Sequence, residues 1–173
     1  MSARSVAGDA AAPARVARVW AILEAVPDPE IPVLSITDLG IVRYVRFDAE
    51  GLLHVGLTPT YSGCPATEVI RESVRAALQA HECGAVQLEE VLSPAWSSDW
   101  LSDAGRAKLA AFGIAPPATT VSSPRHLWHA PRIACPRCAS LATERVSEFG
   151  STPCKAHYRC TSCAEPFDYF KCI

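Results

Sequence analysis

Apolar residues follow a helical period in three stretches of the chain and a strand period in the stretches between them. The helical stretches predict three amphipathic helices, which begin at Pro13, Pro65 and Asp103. The alternating stretches predict three strands over residues 41–48, 52–58 and 86–92. The resulting order, α-β-β-α-β-α, is typical of a small α/β (α+β) sandwich in which helices pack on a mixed sheet.

The chain changes character after this pattern ends. Residues 116–131 contain four prolines together with a Thr/Ser cluster, which is the composition of an extended linker. Short apolar and aromatic runs then predict a β-ribbon over residues 132–173. The sequence therefore predicts an α/β domain at 13–115, a Pro-rich linker at 116–131 and a ribbon at 132–173.

Six of the eight cysteines lie in the predicted ribbon. Four of them form two C-x2-C pairs, and these are Cys135, Cys138, Cys160 and Cys163. Two such pairs about twenty residues apart can place four thiolates tetrahedrally around one structural Zn²⁺. An iron–sulfur cluster also takes four cysteines, but the symmetrical pairs favour zinc. Cys154 and Cys172 are spare thiols that could replace a ligand, form a second site or stay unbonded.

Composition and charge exclude several classes of protein. Hydrophobic residues make up 49% of the chain, which excludes a mostly disordered protein. No apolar run approaches the roughly 18 residues of a membrane helix, and the opening residues do not resemble a signal peptide. We therefore expect a cytoplasmic protein that does not bind membranes and whose cysteines are reduced.

The distribution of charge argues against nucleic-acid binding. The net charge is −2. Residues 1–131 hold 10 basic and 14 acidic side chains, whereas residues 132–173 hold 6 and 4. Four zinc-bound thiolates would cancel the small positive excess of the ribbon. A near-neutral ribbon attached to an acidic α/β domain is unsuited to binding the phosphate backbone of a nucleic acid. The α/β domain at 13–115 is called the body below.

Cys64 is the candidate functional thiol of the body. It follows Gly63 and precedes Pro65, so we expect it at the N-cap of the second helix, where free N–H groups and the helix dipole favour a thiolate. A small buried cysteine is the alternative. Three acidic residues, Asp28, Glu30 and Asp38, precede the sheet and could supply bases or oxygen ligands near Cys64. Turn formation by their side chains is the alternative.

The remaining candidates indicate structure rather than catalysis. Cys83 is expected to be structural, and His54 is expected at the surface of its strand. The chain has no Gly-rich phosphate loop, no H-E-x-x-H, no G-x-S-x-G and none of the acidic and histidine helical pairs of a diiron oxygenase. We therefore predict that the protein is not an enzyme.

Three motifs together resemble a known family. They are Asp28-Pro-Glu-Ile-Pro32, Asp38-Leu-Gly40 and Leu57-Thr-Pro-Thr-Tyr-Ser-Gly-Cys-Pro65. These motifs are similar to those of the metal–sulfur cluster biosynthesis family, which includes the cytosolic iron–sulfur targeting factors, and the resemblance covers residues 13–115. The segment at 96–100 and the ribbon, with its Glu148-Phe-Gly-Ser-Thr-Pro-Cys-Lys155 motif, extend it to the members that serve aerobic phenylacetate degradation.

The resemblance implies a role in maturation. The family's motif cysteine corresponds to Cys64, and its acidic positions correspond to Asp28, Glu30 and Asp38. The implied partner is the flavin and [2Fe–2S] reductase of phenylacetyl-CoA epoxidase, and the implied cargo at Cys64 is an iron–sulfur cluster or iron. A structural or regulatory subunit of the epoxidase complex is the alternative. A homodimer is left open.

Overall fold

The computed structural model describes residues 12–61, 63–117 and 132–171. In the body, three helices and three strands follow the predicted order, and a 3₁₀ turn precedes the last helix: α1 Ala12–Glu24, β1 Val42–Phe47, β2 Leu53–Leu57, α2 Ala66–Ala80, β3 Val86–Glu90, the turn Ser98–Trp100, and α3 Asp103–Phe112. Four further strands follow: β4 Ile114–Ala115, β5 Thr143–Ser147, β6 Lys155–Cys160 and β7 Pro166–Phe170. None of the described helices combines the length and apolar character needed to cross a membrane.

The body contains a three-stranded mixed sheet, as the sequence predicts. Its order is β1-β2-β3, with β1 antiparallel and β3 parallel to the central strand β2. Leu53, Val55 and Leu57 of β2 are fully or almost fully buried. The apolar stripe of α2 packs into the same core and ends before His81, which is exposed. The predicted alternation and helical period therefore bury one face of the sheet under amphipathic helices.

The Asp-Leu-Gly motif lies in a tight turn between α1 and β1. Gly40 has φ +67°, a conformation that favours glycine. A Cβ on Gly40 would lie 2.8 Å from the Cβ and the carbonyl oxygen of Trp100. The glycine of the motif is therefore required both by the backbone conformation and by the close approach of the 3₁₀ turn.

The ribbon sheet has four strands in the order β4-β7-β6-β5. Its first strand, β4, follows directly after α3 of the body and pairs in parallel with β7. The ring of Phe170, on β7, meets the ring of Trp96 edge-on at 6.2 Å between centroids, and both residues are buried in the core of the body. The ribbon is therefore packed on the body. Residues 118–131 of the predicted linker lie outside the described residues.

The prediction that His54 lies at the surface is wrong, since only 8% of the residue is exposed. His54 is on the central strand, and its ring lies between two carboxylates. Its Nδ1 is 2.5 Å from Glu89 Oε1, and its Nε2 is 3.0 Å from Asp48 Oδ2. Hydrogen bonds to Asp48 and Glu89 raise the pKa of His54, although burial opposes the shift. The polar face of the sheet is thus covered by its own charged side chains.

Candidate functional site

Two sharp turns of the ribbon, called the knuckles, each carry one C-x2-C pair. Cys135 and Cys138 precede β5, whereas Cys160 ends β6 and Cys163 follows it. The residue after each pair, Ala139 or Ala164, has a positive φ of 58° or 62°. The N–H of Cys135 donates to Ser140 O, and that of Cys160 donates to Glu165 O. The two turns therefore share one local conformation, as their equal spacing predicts.

The geometry of the four thiols fits one tetrahedral metal ion. Their Sγ atoms all lie within 4.8 Å of one another. The Sγ atoms of Cys135 and Cys163 are 3.8 Å apart, and those of Cys138 and Cys160 are 3.6 Å apart. A disulfide requires about 2.05 Å, whereas four sulfurs at about 2.3 Å from Zn²⁺ lie roughly 3.8 Å from one another. These four residues therefore form a metal-binding group, and the donor set suits Zn²⁺.

A second constellation surrounds Cys64. A pocket of about 30 Å³ is lined by Asp28, Glu30, Cys64 and, from the ribbon, Cys154. The rest of its wall is largely apolar and includes Ile31, Leu39, Ile41, Leu57, Ile70 and Phe170. The structure thus brings together three of the four body residues singled out from the sequence. Asp38 is not in this wall.

The expected N-cap position of Cys64 is wrong by one residue. Pro65 is the N-cap of α2, and no side chain caps the helix. Cys64 lies in the turn that enters the helix: its N–H donates to Tyr61 O at 3.2 Å, and its carbonyl accepts from Thr67 N at 3.2 Å. The Cys64 residue is half-buried. Its thiol therefore faces the pocket wall while a partner molecule can still reach it.

Asp28 shapes the loop that carries Glu30. Its Oδ1 accepts from Ile31 N at 2.7 Å and from Glu30 N at 2.9 Å. Burial raises the pKa of Asp28, and these two hydrogen bonds offset the shift only in part. The Asp28 carboxyl therefore fixes the local turn and directs the Glu30 side chain toward the ribbon.

The sequence analysis named Cys154 only as a spare thiol of the ribbon and did not predict its position in this site. It is 5% exposed and packs into the core of the body rather than that of the ribbon. Its Sγ is 3.7 Å from Glu30 Oε2 and 3.0 Å from Thr152 Oγ1. Burial raises the pKa of the Cys154 thiol; Glu30 adds to the shift, and Thr152 opposes it. Cys172, the other spare thiol, lies outside the described residues.

The β5–β6 loop holds Cys154 in this position. Gly150 N donates to Lys155 O at 2.8 Å, Lys155 N donates to Thr152 O at 3.0 Å, and Lys171 N donates to Cys154 O at 3.0 Å. A Cβ on Gly150 would lie 2.8 Å from Asp168 Oδ1. The motif at 148–155 was the sequence signal that could have indicated the position of Cys154. Its glycine and cysteine belong to this loop and not to the knuckles.

Two further polar groups lie close to the pocket. Tyr61 has a buried hydroxyl without a hydrogen-bond partner among the described residues. Burial, together with the nearby Cys64, Glu30 and Cys154, raises the pKa of Tyr61 to about 12. Lys155 is 5% exposed, and its positive charge acts on Asp28 and Cys154. Glu90 and Arg71 also line the pocket, which thus combines two thiols and three carboxyls with a nearby phenol and the cations of Arg71 and Lys155.

Asp38 connects its own turn to helix α3. Its Oδ2 accepts from Ser35 N at 3.0 Å and from Lys108 Nζ at 2.6 Å, and its Oδ1 accepts from Ser102 Oγ at 3.0 Å. Burial alone would raise the pKa of Asp38, but the hydrogen bonds led by Lys108 outweigh it and lower the pKa. The contacts of Asp38 are therefore those of a structural carboxylate.

Comparison with known proteins places these features in a family. Residues 119–171 match the family described as PaaD zinc beta ribbon domain, and residues 16–87 match the one described as iron-sulfur cluster assembly protein. A crystal structure of a domain of unknown function, DUF59, from Bacillus anthracis superposes with a TM-score of 0.53 at 30% identity. The superposition covers 57% of this chain and 94% of the B. anthracis chain.

Two curated relatives agree with the family matches. The Fe-S protein maturation auxiliary factor YitW of Bacillus subtilis is 36% identical over 49% of this chain and 82% of its own length. A putative 1,2-phenylacetyl-CoA epoxidase subunit of Escherichia coli is 53% identical over 94% of this chain and 96% of its own length. The chain therefore belongs to the PaaD family, which it shares with that E. coli protein.

Proposed function

We propose that this protein is a non-catalytic maturation factor of a phenylacetyl-CoA epoxidase system. In this role it assists the insertion of an iron–sulfur cluster into the epoxidase reductase in the cytoplasm. The observation that carries the proposal is the pocket that joins Cys64 to Glu30 and Asp28. Three relatives that match 43–49% of this chain are named Fe-S protein maturation auxiliary factors, which supports the same role.

The chemistry of the pocket suits temporary binding of iron. Thiolates are the protein ligands that iron–sulfur units prefer. Cys64 is half-buried, so a client can approach it and exchange its own thiolate for that of Cys64. The Glu30 carboxylate lies beside the pocket thiols, so its negative charge can stabilise bound iron. A permanent cofactor would require a closed set of ligands, whereas a carrier needs a site that opens.

The ribbon supplies a rigid support in this proposal. We infer that its four-cysteine group holds one structural Zn²⁺, because the sulfur separations fit a tetrahedral ion. With the metal bound, the turn before β5 is fixed to the turn between β6 and β7. The loop that carries Cys154 is anchored to both strands, so the ion stabilises one wall of the pocket without taking part in transfer.

The alternative function is a structural or regulatory subunit of the epoxidase complex. The name of the E. coli relative supports it. The two functions differ in what happens to the reductase. A subunit should co-purify in fixed ratio with the assembled epoxidase, and its removal should leave the reductase fully loaded with iron. A maturation factor should leave an iron-poor reductase when it is removed.

The test measures the iron and flavin content of the reductase produced with and without this protein. We expect that the reductase made without it keeps its flavin and loses most of its iron. Adding back wild-type protein or Cys83→Ser should restore the iron, and Cys64→Ser should not. Cys83 is the matched control because it is also a half-buried cysteine of the body and does not line the pocket. A reductase with full iron in the absence of this protein refutes the maturation role.

A further inference from the structure

We propose that Cys154 of the ribbon is a second iron ligand of the Cys64 site. In this arrangement Cys64, Cys154 and Glu30 hold one iron centre, either Fe²⁺ alone or the iron of a cluster, between the body and the ribbon. The inference rests on the proposed function and adds a ligand from the ribbon to the site on the body. Cargo can then be held only when the ribbon is packed on the body.

The position of Cys154 is unusual for a purely structural cysteine. Its thiol lies within 4 Å of a carboxylate and a hydroxyl, those of Glu30 and Thr152. A buried cysteine that only fills space normally acts as a small hydrophobic residue. Here the thiol lies in a pocket with Glu30, which is 124 positions away in the chain, and with Cys64 of the body. The fold therefore places a soft ligand beside the acidic groups of the Cys64 loop.

The charges around the pocket can accommodate an iron ion. Binding of Fe²⁺ by two thiols forms two Fe–S bonds and releases two protons to solvent water, while Glu30 stays ionised as the third ligand and the iron stays ferrous. Two thiolates and the wall carboxyls of Glu30, Asp28 and Glu90 then face Fe²⁺, the Arg71 guanidinium and the nearby cation of Lys155, so the two signs of charge are close to balance. The buried Tyr61 hydroxyl lies close to both thiols, so it can donate to a thiolate when the site is filled.

The site is open in the present structure. Among the described residues, the four ribbon thiols are the group whose ligand atoms already lie within 4.8 Å of one another. Cys64, Cys154 and Glu30 line one pocket, but their ligand atoms do not yet form such a group. Such an incomplete site suits a carrier, which must release what it binds.

The experiment is an anaerobic titration of the zinc-loaded full-length protein with Fe²⁺, followed by dialysis and iron analysis. A second arm supplies ferric and ferrous iron together with sulfide and records the visible absorption of a cluster. The variants are Cys64→Ser, Cys154→Ser and Glu30→Gln, with Cys83→Ser as the control. Zinc content and near-UV circular dichroism are measured on every variant.

We expect one iron centre per chain in the wild type and in Cys83→Ser. Cys64→Ser and Cys154→Ser should each weaken binding by about tenfold or more, and Glu30→Gln by a smaller factor. Zinc should stay at one ion per chain throughout. Binding of Fe²⁺ alone indicates a mononuclear cargo, and binding only with sulfide indicates a cluster; both results support the shared ligand.

Wild-type binding by Cys154→Ser overturns the inference, and so does a wild-type protein that binds no iron in either arm. If Cys154→Ser fails to fold, Glu30→Gln decides, since unchanged binding in that variant also contradicts the site. These outcomes are separate from the reductase assay. A factor that is required for reductase iron and yet binds iron without Cys154 retains the maturation role and loses only the second ligand.

Discussion

Replacement of Asp38 by asparagine tests whether the Asp38 carboxylate stabilises the fold or takes part in the Cys64 site. Asn keeps the shape of Asp and one acceptor oxygen, but it removes the charge that meets Lys108. Hydrogen bonds to charged groups contribute roughly 1.5–3 kcal/mol each. The Lys108 side chain is 45% exposed, so solvent screening reduces its share. We expect the free energy of unfolding to fall by about 1–2 kcal/mol.

The assay is a thermal melt with an iron titration on the same sample. For a chain of this length, about 1 kcal/mol corresponds to roughly 2–4 °C in Tm. Asp38→Asn should therefore melt about 2–8 °C below the wild type and bind iron as the wild type does. Glu50→Gln, an exposed acidic residue in the β1–β2 turn, is the control and should change stability by less than about 0.5 kcal/mol. An Asp38→Asn protein with unchanged Tm and lost iron binding would refute the structural role.

The pH dependence gives a second check on Asp38. Its pKa is lowered in the folded state, below the ordinary value of 3.8. A lowered carboxyl pKa stabilises the fold above the unfolded-state pKa, and the stabilisation is lost as the pH falls through the folded-state pKa. The difference in Tm between wild type and Asp38→Asn should therefore be full at neutral pH and shrink below pH 3.8. A difference that grows in acid contradicts the assigned contacts.

Three further predictions concern the metal group, the interface and His54. Cys138→Ser should lose the bound metal, shown by elemental analysis, and unfold the ribbon, since a structural zinc contributes on the order of 10 kcal/mol; retained zinc contradicts the ligand set. Phe170→Ala should retain the metal but cost about 3–5 kcal/mol in urea unfolding, because the ring is buried against Trp96; a change below about 1 kcal/mol means that the domains are not packed together. Since the pKa of His54 is raised, His54 should stabilise the fold below pH 6.5, and this stabilisation should be lost as the pH rises through the folded-state pKa. Thermal melts of His54→Gln across this pH range are the check, because the variant should lack this pH dependence.

The parts of the fold that the sequence predicts are those set by local patterns. The hydrophobic period alone locates the three helices of the body, and Gly113 ends α3 in the left-handed conformation expected of a C-cap. Strand β4 was not predicted, because its two residues become a strand only through pairing with β7 about fifty positions later. Pairing of this kind leaves no local periodicity in the sequence.

The same distinction applies to the sites. The knuckle cysteines are recognisable because their two-residue spacing is itself the geometry of the turn. The contact between Cys154 and Glu30 spans 124 positions, so no spacing indicates it. Asp38 shows the converse, since it is near Asp28 in sequence, but the turn at Gly40 directs it toward α3. The acidic motif is thus divided between a pocket wall and a structural contact.

The strand shared between the two domains limits how the chain can be divided. If the protein were cleaved between β4 and the ribbon and β4 were lost, β7 would become an exposed sheet edge with unpaired N–H and C=O groups. Exposed edges of this kind pair with other chains and promote aggregation. The same cut would uncover the buried Phe170 ring. A soluble fragment of the ribbon therefore has to keep Ile114 and Ala115, and a ribbon transplanted onto an unrelated body would need a substitute for this strand.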